Sequence, residues 1–112
     1  MQVQVNTDNH IQNDEALAAW IEREIVAKLD RFGDSVTRIE VHLADTNAAR
    51  SSDSDKRCTL EARPAGRPPV AASHDAGRVA DAFSGALDKL VRVLDSTLGK
   101  ARDHGRDSIR GG

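Results

Sequence analysis

The chain has 112 residues, of which 38% are hydrophobic and 30% are charged, a balance typical of one globular domain and not of a disordered segment. Its single cysteine, Cys58, excludes an intrachain disulfide and a zinc site built from cysteines. The first residues lack the basic and apolar regions of a secretory leader, and no apolar stretch is long enough to span a membrane, so we expect a cytoplasmic protein.

Charge is unevenly distributed along the chain. Residues 1–55 carry 5 Lys/Arg against 11 Asp/Glu, a net charge of −6, whereas residues 56–112 carry 11 against 7, a net charge of +4. The formal net charge of −2 alone argues against a simple nucleic-acid binder. The asymmetry nevertheless permits a basic face on an acidic protein.

The first two predicted elements are a strand and a helix. Residues 1–5 alternate apolar and polar side chains, which predicts a strand. Asn13 is predicted to cap a helix whose first turn holds Asp14 and Glu15. Apolar residues then recur at helical spacing, and the helix is expected to end at Gly33. The apolar stripe consists of Leu17, Trp20, Ile21, Ile25, Leu29 and Phe32.

Three further strands are predicted from alternating patterns over residues 36–44, 57–63 and 70–74. Residues 45–56 contain no apolar side chain larger than alanine and predict a loop, while residues 64–69 hold all three prolines and predict a turn. One face of strands two and three stays polar. It carries Arg38, Glu40, His42, Arg57, Glu61 and Arg63.

A second helix follows, with an apolar stripe made of Val79, Phe83, Leu87, Leu90, Leu94 and Leu98. The order β-α-β-β-β-α predicts an α+β two-layer sandwich, in which two helices cover one face of a four-stranded sheet. Strands two to four should form an antiparallel meander. Residues 1–102 are expected to form this domain and residues 103–112 a short flexible tail.

The sequence shows no catalytic or metal-binding pattern. The four histidines, His10, His42, His74 and His104, lie far apart and lack metal-ligand spacing. Cys58 lies on the inward side of its strand and is expected to be a buried, unreactive thiol. There is no nucleophile elbow, phosphate-binding glycine loop or carboxylate pair in an apolar setting. We therefore predict no enzyme activity, no cofactor and no metal ion.

Basic residues are the remaining functional signal. The second helix has a polar flank about opposite its apolar stripe, made of Gly85, Lys89, Arg92, Ser96 and Lys100. The first helix ends with Lys28 and Arg31, where cations suit the helix dipole. A solvated surface explains these cations as well, because Glu24 lies one turn before Lys28. Asp88 likewise lies one turn before Arg92, and such pairs contribute about 0.2–0.5 kcal/mol each. The pattern alone leaves both interpretations open.

The second helix contains the run "DKLVRVLDSTLGK" from Asp88 to Lys100. It resembles the Asp-Lys-Leu-x-Arg-x-Leu-x-x-x-x-x-Lys pattern of the short hibernation-promoting factor and ribosome-associated inhibitor family of bacteria, with Ser84 where that family has an earlier aspartate. Residues 1–32 are also similar to the opening strand and helix of the family, ending in a basic-aromatic pair at Arg31 and Phe32.

This resemblance implies a stress factor that occupies the small ribosomal subunit where messenger RNA and the A- and P-site transfer RNAs bind. Such a factor silences and preserves idle ribosomes. The implied fold is again β-α-β-β-β-α, close to a double-stranded RNA-binding domain with an extra strand.

Our first hypothesis is therefore a non-enzymatic factor whose helix flanks contact phosphates of ribosomal RNA. The expected contact residues are Lys28, Arg31, Lys89, Arg92, Lys100 and Arg102, with Arg63 and Arg78 as secondary candidates. The expected partner is the small ribosomal subunit, with no membrane or small-molecule substrate, and the free protein is expected to be a monomer. The alternative is a homodimerising α+β regulatory module that uses the outer sheet face or an edge strand.

Overall fold

A computed structural model describes residues 1–8, 14–45 and 56–99 of the chain. The four strands are β1 (Gln2–Thr7), β2 (Val36–Asp45), β3 (Lys56–Pro64) and β4 (Val70–Ala76). The helices are α1 (Glu15–Leu29) and α2 (Val79–Leu94), followed respectively by a 3-10 segment (Asp30–Ser35) and a π-helical turn (Asp95–Gly99). The predicted order β-α-β-β-β-α is confirmed.

The strands form one sheet in the order β1-β2-β3-β4. β1 runs parallel to β2, with Val5 opposite Val41, because α1 carries the chain back across the sheet between them. β2, β3 and β4 pair antiparallel through short-range connections, with Val41 also opposite Leu60. The predicted meander of strands two to four is therefore present.

The sheet is apolar on one face only. Along β2, Ile39, Val41 and Leu43 are buried, while His42 between them is exposed. Both helices lie on the apolar face, and Trp20 of α1 meets Phe83 of α2 edge-on at a ring-centroid distance of 5.3 Å. Shifting a strand by one residue would turn every apolar side chain outward, so this alternation determines the register. The predicted two-layer sandwich is confirmed.

The first helix begins and ends differently from the prediction. Asp14, not Asn13, is its N-cap, and its carboxylate accepts a 2.9 Å hydrogen bond from the Ala16 backbone N–H. Asn13 lies outside the described residues. The α-helix ends at Leu29, and the chain tightens into the 3-10 segment, which still places Phe32 in the core. Gly33 then reverses the chain with φ +54°, a conformation that suits glycine.

The end of α2 also departs from a single regular helix. The α-helix stops at Leu94, and the next five residues form the wider π-helical turn. Leu98 remains only 8% exposed, so the apolar stripe predicted from the sequence continues through the change of helix type. β4 extends two residues beyond the prediction, to Ala76.

Candidate RNA-binding surface

The C-terminal ends of both helices lie at the same end of the molecule. Each helix runs antiparallel to the strand before it, so α1 and α2 point in the same direction over the sheet. A 2.6 Å ion pair between Arg31, just after α1, and Asp95, just after α2, joins the two ends. The negative ends of two helix dipoles therefore lie side by side, a setting that favours cations.

Lys28 and Arg92 occupy the last turns of α1 and α2, and both side chains are exposed. Neither makes an ion pair within the described part of the chain. The pairs expected from i,i+4 spacing, with Glu24 and with Asp88, are therefore not formed. These two cations remain available to an external anion.

Arg31 has several contacts within the protein. Besides its ion pair with Asp95, its guanidinium lies 4.7 Å from the centroid of the Phe32 ring, a cation–π arrangement. Its side chain is nevertheless 55% exposed. Arg31 can thus be oriented by Asp95 and Phe32 while part of the guanidinium still faces solvent.

Lys89 is attached to the edge of the sheet. Its Nζ donates a 3.1 Å hydrogen bond to the backbone carbonyl of Ser73 on β4. One turn earlier on the same flank, Gly85 lets α2 approach His74 of β4 closely. Lys89 therefore helps to hold α2 on β4, a structural role that the sequence did not indicate.

The other predicted contacts are dispersed. Lys100 and Arg102 lie outside the described residues, as does the predicted tail, residues 103–112. Arg78 is the N-cap of α2. It lies about 21 Å along the helix axis from Arg92. Arg63 lies on the opposite face of the sheet. Of the predicted contacts within the described residues, Lys28, Arg31 and Arg92 lie at the shared end of the two helices.

The outer face of the sheet is closely charge-balanced. Arg63 lies 3.6 Å from Glu40 and 3.3 Å from Glu61, and Arg38 lies 3.8 Å from the same Glu40 carboxylate and also contacts Gln4. Cations with carboxylates at this range attract a phosphate less than unpaired cations do.

A second outer-face pair lies between β3 and β4. Arg57 holds Asp75 through two hydrogen bonds of 2.7 and 3.1 Å. These bonds lower the pKa of the Asp75 carboxyl, which therefore stays ionised at neutral pH. In the part of the chain that the structure describes, the outer-face arginines are thus paired with carboxylates, whereas Lys28 and Arg92 on the helix side are not. Which cations are paired depends on which side chains meet across strands.

Cys58 is fully buried, and burial raises the pKa of its thiol to about 12. At neutral pH the group is therefore a neutral thiol, as the inward position in β3 predicted. Within residues 1–8, 14–45 and 56–99, no group of three His, Cys, Asp or Glu side chains is placed to hold a metal ion. In that same part of the chain, no helix is long and apolar enough to cross a membrane.

A family model described as "Sigma 54 modulation protein / S30EA ribosomal protein" matches residues 3–102. The chain belongs to this family. The resemblance noted in the sequence is thereby confirmed, and the protein is a ribosome-associated hibernation or modulation factor. The S30EA family is one of ribosome-associated factors and not of enzymes. A search of curated proteins found none that matches.

Two solved structures share the fold. The N-terminal domain of Protein Y from Thermus thermophilus superposes with a TM-score of 0.69 at 18% sequence identity, covering 87% of this chain and 99% of that one. A ribosomal subunit interface protein from Coxiella burnetii superposes with a TM-score of 0.68 at 16% identity, covering 88% and 99%. At such low sequence identity, these two structures establish only the α+β architecture of this S30EA-family chain.

Proposed function

We propose that this S30EA-family protein acts in the cytoplasm by binding the small ribosomal subunit in the channel for messenger and transfer RNA, so that idle ribosomes are silenced and preserved. Its helix side faces ribosomal RNA. The proposed phosphate contacts are Lys28, Arg31, Lys89, Arg92, Lys100 and Arg102. No catalytic step is involved, and the free protein is a monomer.

The observation that carries the proposal is the pair of exposed cations at the shared end of the helices. Lys28 and Arg92 have no carboxylate partner among the described residues, and Arg31 lies beside the same junction. Unpaired lysine and arginine side chains bind phosphates by releasing condensed counterions, which needs no base sequence. Ribosome association follows from the family, and the position of these cations supports RNA as the component contacted.

The alternative, a homodimer formed through the outer sheet face, has less support. Such a dimer would need charged side chains on the outer face that are free to form ion pairs with the same face of a second copy. Arg38, Arg57 and Arg63 already lie within 4.0 Å of carboxylates of their own chain. A dimer would have to exchange these contacts for equivalent ones and would gain little by doing so.

The proposal is tested with the double variant K28Q/R92Q, which removes the two unpaired cations in the last turns of the helices. We expect it to remain folded, because both side chains are exposed, and to bind purified small subunits roughly ten-fold or more weakly at moderate salt. Co-sedimentation through a sucrose cushion measures the bound fraction.

A matched control is Q2E/H42E, which lowers the net charge by the same amount, with histidine counted as neutral, through two exposed residues on the outer sheet face. It should bind like the wild type. Equal binding by K28Q/R92Q and wild type would overturn the assignment of this surface. Failure of the wild type to co-sediment with small subunits would overturn the function.

A further inference from the structure

The turn between β3 and β4 carries an exposed arginine that the sequence patterns did not single out. Arg67 follows Gly66 in the segment from Pro64 to Pro69. It makes no side-chain ion pair or hydrogen bond among the described residues. Its positive charge is therefore as available as those of Lys28 and Arg92.

The backbone of this turn is held in one conformation. The Arg67 N–H donates a 3.3 Å hydrogen bond to the Pro64 carbonyl, closing a four-residue β-turn. The third residue, Gly66, has φ +70°, as a type II turn requires. Pro68 and Pro69 follow at once and restrict the chain further. An arginine on such a turn loses little backbone freedom when it binds.

The turn is attached to the same end of the molecule as the helix C-termini. The Ala65 N–H donates a 2.8 Å hydrogen bond to the carbonyl of Ser35, the last residue of the 3-10 segment that also carries Arg31. Beside it, the Thr37 hydroxyl donates a 2.9 Å hydrogen bond to the Arg63 carbonyl. The turn that carries Arg67 is therefore anchored at the end of the molecule where both helices terminate.

We propose that the turn from Pro64 to Pro69 is a second phosphate-binding element, in which Arg67 contacts the ribosomal RNA backbone beside the helix ends. The inference rests on the proposed function and extends it from the helix layer to the sheet. A rigid turn and two helix ends together would contact phosphates over a wider footprint than the helices alone. Because phosphate contacts carry no sequence information, the element positions the protein on the RNA.

The test compares Arg67→Ala with His42→Glu. Both substitutions lower the net charge by one at an exposed position when histidine is counted as neutral, but His42 lies on the outer face of β2, away from the helix ends. We expect R67A to bind small subunits roughly three- to ten-fold more weakly and to reduce the slope of log affinity against log salt by about one. H42E should keep the wild-type affinity within about two-fold, since it removes no contact.

Binding of R67A equal to wild type, while K28Q/R92Q binds weakly, would overturn this inference and leave the proposed function standing. An equal loss in R67A and H42E would assign the effect to net charge and also overturn it. Absence of wild-type binding would overturn both. Far-UV circular dichroism and the thermal midpoint of R67A should match the wild type, because the exposed Arg67 side chain makes no ion pair or hydrogen bond among the described residues.

Discussion

Gly85 shows how a single residue allows the second helix to lie on the edge strand. A Cβ atom built there would lie within 3.0 Å of three atoms of the His74 ring. Because real Cβ atoms do not approach that closely, a side chain at this position would require the His74 ring or α2 itself to shift. Lys89 lies one turn further along the same flank, where its hydrogen bond to the Ser73 carbonyl depends on that close approach.

The substitution Gly85→Ala should therefore destabilise the protein. Alanine gains up to about 1 kcal/mol of helix propensity, but overpacking against His74 costs about 1–3 kcal/mol. We expect a net loss of roughly 1 kcal/mol in the free energy of unfolding, measured by urea denaturation.

A double-mutant cycle isolates the cause of that loss. In a His74→Ala background the same Gly85→Ala change should become stabilising, because the overpacking against the imidazole ring is removed while the higher helix propensity of alanine remains. Stabilisation by G85A in the wild-type background would contradict the close contact.

The two helices differ in how their first turns are capped. The carboxylate of Asp14 caps α1, whereas Arg78 at the N-cap of α2 makes no side-chain hydrogen bond to the helix. Arg78 has the extended backbone of an N-cap, with φ −127° and ψ 145°, so only the side chain is unsuited to the position. It also places a cation at the positive end of the dipole.

The substitution Arg78→Ser should stabilise the protein, because a serine hydroxyl can accept a hydrogen bond from the first-turn backbone. We expect Arg78→Ser to exceed Arg78→Ala by about 1 kcal/mol in the free energy of unfolding. The alanine variant is the matched control, since it removes the same charge without adding a cap. Equal stability of the two variants in chemical denaturation would show that the first turn of α2 needs no cap.

At the scale of the whole molecule, attraction to phosphate depends more on where the charges lie than on the net charge. The formal net charge is −2, yet carboxylates pair the arginines on the outer sheet face, while Lys28, Arg67 and Arg92 stay unpaired among the described residues. An acidic protein can thus present unpaired cations at the end where its two helices terminate. Screening acts on exposed cations, so binding through them must depend on salt.

The affinity for small subunits should therefore fall steeply with added salt. A handful of phosphate contacts corresponds to a loss of roughly two to four powers of ten between low and moderately high salt. Titration of the protein against purified small subunits at several potassium chloride concentrations measures the slope. A flat dependence would mean that the basic residues contact only solvent.

The sequence by itself determined the architecture of this protein, because each element repeats a simple period. Alternation in β2 and β3 and the leucine stripe from Phe83 to Leu98 predicted which faces are buried, and those faces can meet in only a few ways. The run from Asp88 to Lys100 likewise led to the S30EA family. Boundaries were predicted less well, since the caps at Asp14 and the change of helix type after Leu94 depend on local hydrogen bonds.

Only the tertiary structure decided which charges are available. A helical wheel places Lys89 and Arg92 on the same polar flank of α2. In the described part of the chain, however, Lys89 donates a hydrogen bond to the Ser73 carbonyl of β4, and Arg92 has no such acceptor. Arg67 belongs to no periodic pattern. Its turn is anchored at the end of the molecule where the helices terminate by the bond from Ala65 to Ser35, thirty residues earlier in the chain. Side-chain pairing depends on distances between residues far apart in sequence, and no periodicity within one element encodes those distances.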